Sequence, residues 1–314
     1  DQVRVPANVP DAAKKTYIDN FLKITHNTGH LALFAGDQKI EHLNDDFVQD
    51  PNSTSGSSIS EDDADPEHLF RVASAGSPGC LAAQLGLVAA YGPDYPDVNY
   101  LVKLNSKTHL VKGSQKDPVS LAIHSVDDVL DLADSSGLNI VGIGYTVYLG
   151  SEFEPDMLSE AAQMIHQAHL NGLLAVIWMY PRGKAVANER CAHLIAGAAG
   201  VALCIGADFC KVSYPKTDSG TPAEAFKEAV VAGGRCGVIV SGGSSTDVRR
   251  FLQDLHDQIH ISGARGNATG RNIHQKSFDD AVRMCKAINS ITLGDKDVEF
   301  ALRVFSGEQD FSID

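Results

Sequence analysis

Eight short apolar runs recur along this chain, and helical patterns lie between them: Leu31 to Gly36, Cys80 to Gln84, Tyr100 to Leu104, Asn139 to Gly144, Leu173 to Tyr180, Asp208 to Ser213, Gly237 to Ser241 and Gly263 to Thr269. The intervening helical patterns include Pro155 to Leu170, Glu189 to Ile205 and Pro222 to Val231. Asp65-Pro66-Glu67 opens another with proline at its first position, and Thr221-Pro222-Ala223-Glu224 reads as a capping box. A parallel strand needs a crossover before its neighbour, so strands that alternate with helices predict a parallel sheet. Eight such units in 314 residues predict an α/β fold, a (β/α)8 TIM barrel formed by residues 1–314 as one domain. An open doubly wound sheet would want a glycine fingerprint after its first strand, and none is there.

Three segments lie outside the repeat. Residues 1–27 are expected to form an N-terminal helical extension, with a helix over Asp11 to Ile24 that plugs the barrel bottom. Residues 44–65 form a long loop after the first strand, with the serine-rich run Ser53-Thr54-Ser55-Gly56-Ser57-Ser58, read either as a lid on the catalytic face or as an insertion without a role. Residues 295–314 are expected to be a helix-bearing tail that packs on a neighbouring subunit.

Composition removes several function classes. A formal net charge of -14 argues against nucleic acid and anionic membrane as partners, and no apolar run is long enough to span a bilayer. The N-terminus shows no pattern of a secretion signal, and the six cysteines lack a C-x-x-C spacing and read as reduced core thiols, so a cytoplasmic location is expected. The twelve histidines contain no H-E-x-x-H, and His166 with His169 reads as a solvated helix face, so no metal site is expected.

Lys211 sits inside the sixth run. A buried ammonium is costly unless it is paired or loses its proton, and a neutral lysine amine is the nucleophile of Schiff-base enzymes; the alternative is a stem that packs in the strand while its head reaches the mouth. Alternation along each strand sends Leu31, Leu33, Ala35 and Asp37 to one side, as it does Lys103 with Asn105, Trp178 with Tyr180, and Phe209 with Lys211 and Ser213. Asp37, Lys103, Tyr180 and Lys211 therefore converge at the carboxyl ends of the strands, where barrels carry their chemistry. The last two strands end in Ser241-Gly242-Gly243 and in Gly266 to Gly270 followed by Arg271, turns whose backbone N–H groups suit a phosphate, with Arg271 as a bidentate clamp. In an acidic protein, Lys107, His109, Lys112, Lys116, Arg182 and Lys184 form a local basic cluster, most of it read as solvated charge; Arg182 is the best candidate for a second phosphate.

Taken in order, Gly36-Asp37-Gln38-Lys39-Ile40-Glu41-His42, Leu101-Val102-Lys103-Leu104-Asn105, Val147-Tyr148-Leu149-Gly150-Ser151, Trp178-Met179-Tyr180-Pro181-Arg182-Gly183, Gly206 to Lys211, Ser241-Gly242-Gly243 and Gly270-Arg271-Asn272 resemble the archaeal-type class I fructose-bisphosphate aldolases, Schiff-base barrel enzymes. The resemblance implies that Lys211 forms the Schiff base, that Tyr180 is the general acid/base, that Trp178 and Asp37 line the pocket, and that the glycine turns with Arg271 hold the ketose phosphate. It also implies homo-oligomers, often decamers. The chain departs from the family in its serine-rich loop and in an Asp-Gln-Lys where many members have Asp-His-Gly or Asp-Gln-Gly, a difference that bears on the acceptor end.

The expected reaction is reversible cleavage of fructose 1,6-bisphosphate to dihydroxyacetone phosphate and glyceraldehyde 3-phosphate, in glycolysis or gluconeogenesis, with sugar phosphates as the small-molecule partners and no metal or other cofactor. Tyr180 suits this chemistry if neighbouring cations lower its pKa. Asp37 would orient hydroxyls or relay protons, or else serve as a structural ion-pair partner of a lysine, and Trp178 could be barrel core. Alternatives on the same scaffold are a Schiff-base transaldolase or acyltransferase, a sugar-phosphate isomerase, and a non-catalytic sensor.

Overall fold

The computed structural model describes residues 3–50 and 59–313. Eight strands close into an all-parallel barrel in chain order: β1 (Leu31–Ala35), β2 (Cys80–Gln84), β3 (Tyr100–Lys103), β4 (Ile140–Leu149), β5 (Leu174–Pro181), β6 (Phe209–Val212), β7 (Gly237–Ser241) and β8 (Gly266–Thr269). β8 pairs back onto β1 through Leu31↔Gly266 and Leu33↔Ala268, which closes the ring. The (β/α)8 TIM barrel is thus the fold.

Strand alternation splits the apolar residues into two cores. Leu31, Leu33, Ala35, Ala82, Leu101, Val176, Phe209 and Ile239 fill the barrel lumen, while their alternates pack outward against the helices. The N-terminal helix, a short 3-10 turn at Asp11–Ala13 followed by Lys14–Thr25, closes the lower end. Its Phe21 stacks on Phe209 with ring centroids 5.7 Å apart, and its Asn20 donates to the Gly172 carbonyl ahead of β5. The Tyr17 hydroxyl donates to Asp208 at 2.5 Å, and Asp208 also accepts from Ala175 N at 2.7 Å.

Several local expectations need correction. β4 runs ten residues rather than stopping at Gly144, because its pairing with β5 continues through Tyr148↔Tyr180 and Leu149↔Pro181. The helix expected from Glu189 begins at Ala192, since Arg190 turns away to donate to the Tyr214 carbonyl. Thr221 accepts from Glu224 N, but the Glu224 carboxylate pairs with Lys227 at 2.7 Å instead of reaching back to complete a box; the complete capping box is at Ser125 and Asp128. His169 is buried rather than solvated: its Nε2 lies 3.0 Å from Asp208 and its Nδ1 2.9 Å from Asn8, while His166 is exposed as expected. Cys80, Cys210, Cys236 and Cys285 are buried, but Cys204 is exposed at a helix end. The helix expected in the tail is present, Val298–Ser306, and it rests on Phe278–Thr292 and Val248–His260 of the same chain. The serine-rich run Ser53 to Ser58 falls outside the described residues.

Candidate active site

The register of β5, β6 and β7 sets Lys211 between Trp178 and Ile239, with its side chain in the upper lumen. β3 presents Lys103 from the other side, opposite Gly144. Glycine is needed there because a Cβ at Gly144 would stand 2.7 Å from the Trp178 ring and 3.0 Å from the Lys103 stem. The indole of Trp178 lies near both cations: Lys211 Nζ is 5.0 Å and Lys103 Nζ 5.2 Å from its centroid. Trp178 is therefore lumen core and pocket wall at once.

The two lysines differ in their partners. Lys103 Nζ donates to the Asn105 carbonyl at 2.9 Å and lies 3.8 Å from Asp37 Oδ2. Among the described residues, Lys211 Nζ makes neither a hydrogen bond nor an ion pair, and it is only 6% exposed. Burial pulls its pKa down to about 8; Asp37 opposes that shift and the Lys103 charge adds to it. Lys103 is also pulled down by burial, but the carboxylates of Asp37 and Glu41 restrain it.

Asp37 directly follows Gly36 at the end of β1, and its backbone carbonyl is fixed by Gln84 Nε2 at 2.7 Å. Its Oδ1 is buried without a hydrogen-bond partner among the described residues. The ion pair with Lys103 thus accounts for one oxygen and leaves the other free to meet a ligand.

Tyr180 does not meet the condition that neighbouring cations lower its pKa. Its phenol pKa is raised, chiefly by burial and then by the Asp37 charge, and the opposing pull of Arg182 and Arg271 does not win. The resting residue is a protonated phenol, suited to donate before it accepts. The Arg182 guanidinium carbon lies 5.6 Å from the centroids of both Tyr180 and Tyr148.

The glycine turns after β7 and β8 are joined through Asn272, whose amide donates to the carbonyls of Gly242 and Ser244 and whose Oδ1 accepts from Thr246 N. A Cβ at Gly242 would meet Thr269 at 3.1 Å, and one at Gly270 would meet the Ala35 carbonyl at 2.7 Å; Gly243 has a φ of +67°. Ser241 closes β7 beside this turn. Arg271 lies 3.6 Å from Asp46 Oδ1, so the loop after β1 supplies a counter-charge that an anion would have to displace. That loop is anchored behind Arg271: Phe47 stacks on His274 at 4.9 Å, and Asp63 Oδ2 lies 2.7 Å from His274 Nδ1. Burial pushes this pair toward neutrality, with Asp63 raised to about 8 and His274 lowered to about 3.

The residue the sequence reading missed is Glu41. The one-turn helix Gln38–Glu41 follows Asp37, so both carboxylates, four residues apart, lie on one face at the mouth. Glu41 Oε1 accepts from the Tyr148 hydroxyl at 3.0 Å and lies 3.9 Å from both Lys107 Nζ and Arg182 NH1. That i,i+4 spacing was the available signal. The Tyr148 contact was hidden because its strand was expected to end earlier.

A buried lysine with no partner among the described residues, beside the Asp37 carboxylate and the Tyr180 phenol, can form a carbinolamine with a carbonyl and move protons to and from it. Residues 31–276 match the model of the DeoC/LacD family aldolases. The chain belongs to that family. It is 56% identical over 307 residues to a Methanocaldococcus jannaschii protein named fructose-bisphosphate aldolase/6-deoxy-5-ketofructose 1-phosphate synthase, covering 98% of this chain and 96% of that protein. It is 35% identical to the class 1 fructose-bisphosphate aldolase of Thermoproteus tenax, over 91% of this chain and 98% of the relative. A solved fructose-bisphosphate aldolase from Slackia heliotrinireducens superposes with a TM-score of 0.94 at 56% identity, over 99% and 96% of the two chains. An archaeal fructose-1,6-bisphosphate aldolase, solved with its catalytic lysine covalently bound to the carbinolamine intermediate, superposes at 0.73 with 32% identity, over 88% of this chain and 99% of that one. The chain is accordingly an aldolase, a lyase of the archaeal-type class I, Schiff-base branch. This displaces the isomerase and sensor alternatives.

Proposed function

We propose that this aldolase reversibly cleaves fructose 1,6-bisphosphate, with Lys211 as the Schiff-base lysine. The observation that carries the assignment is the contrast between the lysines: Lys103 is tied to Asn105 and Asp37, while Lys211 is buried and unpaired among the described residues, with its pKa drawn down to about 8. Lys103 acts instead as a fixed charge that disfavours protonation of Lys211.

Lys211 Nζ adds to the C2 carbonyl, and the Tyr180 phenol protonates the carbinolamine hydroxyl, which leaves as water to give the iminium. The raised pKa of Tyr180 suits this first, donating role. The resulting phenolate, now beside a cation, takes the C4 hydroxyl proton; the C3–C4 bond breaks, its electron pair moves into the iminium, and glyceraldehyde 3-phosphate departs. The phenol then returns the proton to C3 of the enamine, and water releases dihydroxyacetone phosphate. Asp37 Oδ1 holds a substrate hydroxyl, and Trp178 walls the pocket. The C1 phosphate binds at Ser241-Gly242-Gly243, Gly270 and Arg271, and Arg182 with Lys107 faces the C6 end.

A second reading has a specific support. The name of the Methanocaldococcus jannaschii relative couples the aldolase to synthesis of a 6-deoxy ketose 1-phosphate, whose only phosphate is at C1. Transfer of the same enamine to an acceptor without a phosphate, a transaldolase-type reaction, is the corresponding activity here. The proposal also includes a metal-independent, cytoplasmic homo-oligomer, decameric as in the resembled family; among the described residues no helix is long and apolar enough to cross a membrane.

Borohydride reduction with dihydroxyacetone phosphate tests the core of this reading. One adduct per chain on Lys211, abolished by Lys211→Met and unaffected by EDTA, is expected. An adduct on Lys103 would reverse the assignment. Activity lost to EDTA and restored by zinc would end the metal-free mechanism.

A further inference from the structure

We propose that Glu41 sets the specificity of the acceptor end: its carboxylate occupies the Lys107–Arg182 cation pair, handicaps a second phosphate there, and opens the pocket to aldehydes that carry none. The inference rests on the reading that Arg182 and Lys107 face the C6 end of the substrate.

The geometry centres on one atom. Glu41 Oε1 takes the Tyr148 hydroxyl at 3.0 Å and faces Lys107 Nζ and Arg182 NH1, each at 3.9 Å. These separations are ion pairs rather than close hydrogen bonds, loose enough for a competing anion to enter. Glu41 is nevertheless held in place. Its backbone carbonyl accepts from both His109 N at 2.9 Å and His109 Nδ1 at 2.8 Å, which joins the helix after β1 to the connection after β3. Arg182 is flanked on its other side by Glu189, 3.3 Å from Nε, and is stacked over Tyr148 and Tyr180. Burial works against the Glu41 carboxylate, but His42, Lys103 and Lys107 overcome it and hold its pKa below the usual range, so it stays charged.

An incoming phosphate dianion therefore meets two cations that already share a carboxylate. It must approach that carboxylate within ion-pair range in a half-buried place, where like charges repel far more than in water. A neutral aldehyde pays no such penalty. Glu41 lowers discrimination in favour of glyceraldehyde 3-phosphate without abolishing its binding, which fits an enzyme that serves both kinds of acceptor.

The test measures condensation of dihydroxyacetone phosphate with either D-glyceraldehyde 3-phosphate or unphosphorylated D-glyceraldehyde. Glu41→Gln keeps the shape and removes the charge. It should lower KM for the phosphorylated acceptor by about tenfold while moving the unphosphorylated one by no more than about twofold. Glu41→Asp retains the charge and should keep the wild-type ratio of the two KM values within about threefold, which controls for disturbed folding. Equal changes for both acceptors in Glu41→Gln, or no change for the phosphorylated one, would overturn the inference. Arg182→Ala measured alongside separates the two claims. If it weakens only the phosphorylated acceptor while Glu41→Gln is indifferent, Glu41 alone is misassigned. If both variants leave the phosphorylated acceptor unchanged, the placement of the second phosphate fails as well.

Discussion

Lys103→Met is the sharpest probe of how the proposed Schiff-base lysine, Lys211, would be kept reactive. With a pKa of about 8, roughly one-tenth of Lys211 is neutral at pH 7, against roughly one part in three thousand for an ordinary lysine at 10.5, a gain of about 300-fold in nucleophile. Burial is the first cause of that shift, and the charge of Lys103, which shares the Trp178 ring as a neighbour, is an additional one. Methionine preserves the stem and the contact with the indole but removes the charge. It also leaves Asp37 without its 3.8 Å partner, so the full carboxylate charge faces Lys211. Both changes favour the ammonium, so the sign is the same for each: the Lys211 pKa rises. A rise of about one unit, 1.4 kcal/mol, would leave roughly a tenth as much neutral amine at pH 7. The assay is the initial rate of cyanoborohydride-trapped adduct with dihydroxyacetone phosphate across a pH series, with the adduct mapped to Lys211 by mass spectrometry. Wild type should show a limb rising through about pH 8, and the variant a limb displaced to higher pH with the same plateau. A limb that stays put or moves to lower pH would refute the electrostatic account and leave burial as the sole cause.

Tyr180→Phe should slow the initial rate of trapping on Lys211, because the iminium forms with the phenol proton, and should slow cleavage by about 10²-fold or more, read from steady-state rates; near wild-type cleavage would move proton transfer to Asp37. Arg271→Ala should weaken phosphorylated ketose binding by roughly 1.5 to 3 kcal/mol and leave unphosphorylated dihydroxyacetone almost unchanged, measured by calorimetry; the displaced Asp46 pair places the effect toward the lower end. Gly144→Ala drives a methyl into Trp178 and the Lys103 stem and should cost about 1 to 3 kcal/mol of stability in denaturant unfolding, with slower trapping on Lys211; a stable, fully active variant would show that the lumen can yield there.

The barrel and the lumen-facing parity were legible because they depend on local periodicity. Lys211 reads as inward from its own strand, and Asp37 and Lys103 from theirs, with no knowledge of what lies opposite. What failed depended on partners distant in sequence. His169 reads as a surface residue on its helix, yet its burial is decided by Asp208, 39 residues away, and Asn8, 161 residues away. The β4 run appeared to end at Gly144 because glycine weakens a strand locally, and its continuation comes only from the long pairing with β5. The condition on Tyr180, that cations lower its pKa, could not be decided from the sequence for a related reason. Its cations, Arg182 and Arg271, can be found in the sequence, but how deeply the ring is buried cannot.

The site also shows how an acidic protein can hold a basic pocket without leaving its cations unsatisfied. Each cation in the proposed pocket faces a carboxylate from the segment after β1: Lys103 faces Asp37 at 3.8 Å, Lys107 and Arg182 face Glu41 at 3.9 Å, and Arg271 faces Asp46 at 3.6 Å. Lys211 is the exception, for it has no such ion pair among the described residues. The arrangement follows from charge balance. Cations meant for a dianionic substrate would repel one another in the empty pocket, and one acidic segment that neutralises them stabilises the unliganded state at the expense of anion affinity. Among the described residues, the lysine proposed to form the Schiff base is the one this segment does not pair. Substrate phosphates would then replace protein carboxylates rather than fill a charge deficit, so measured phosphate affinity should reflect the difference between two ion pairs.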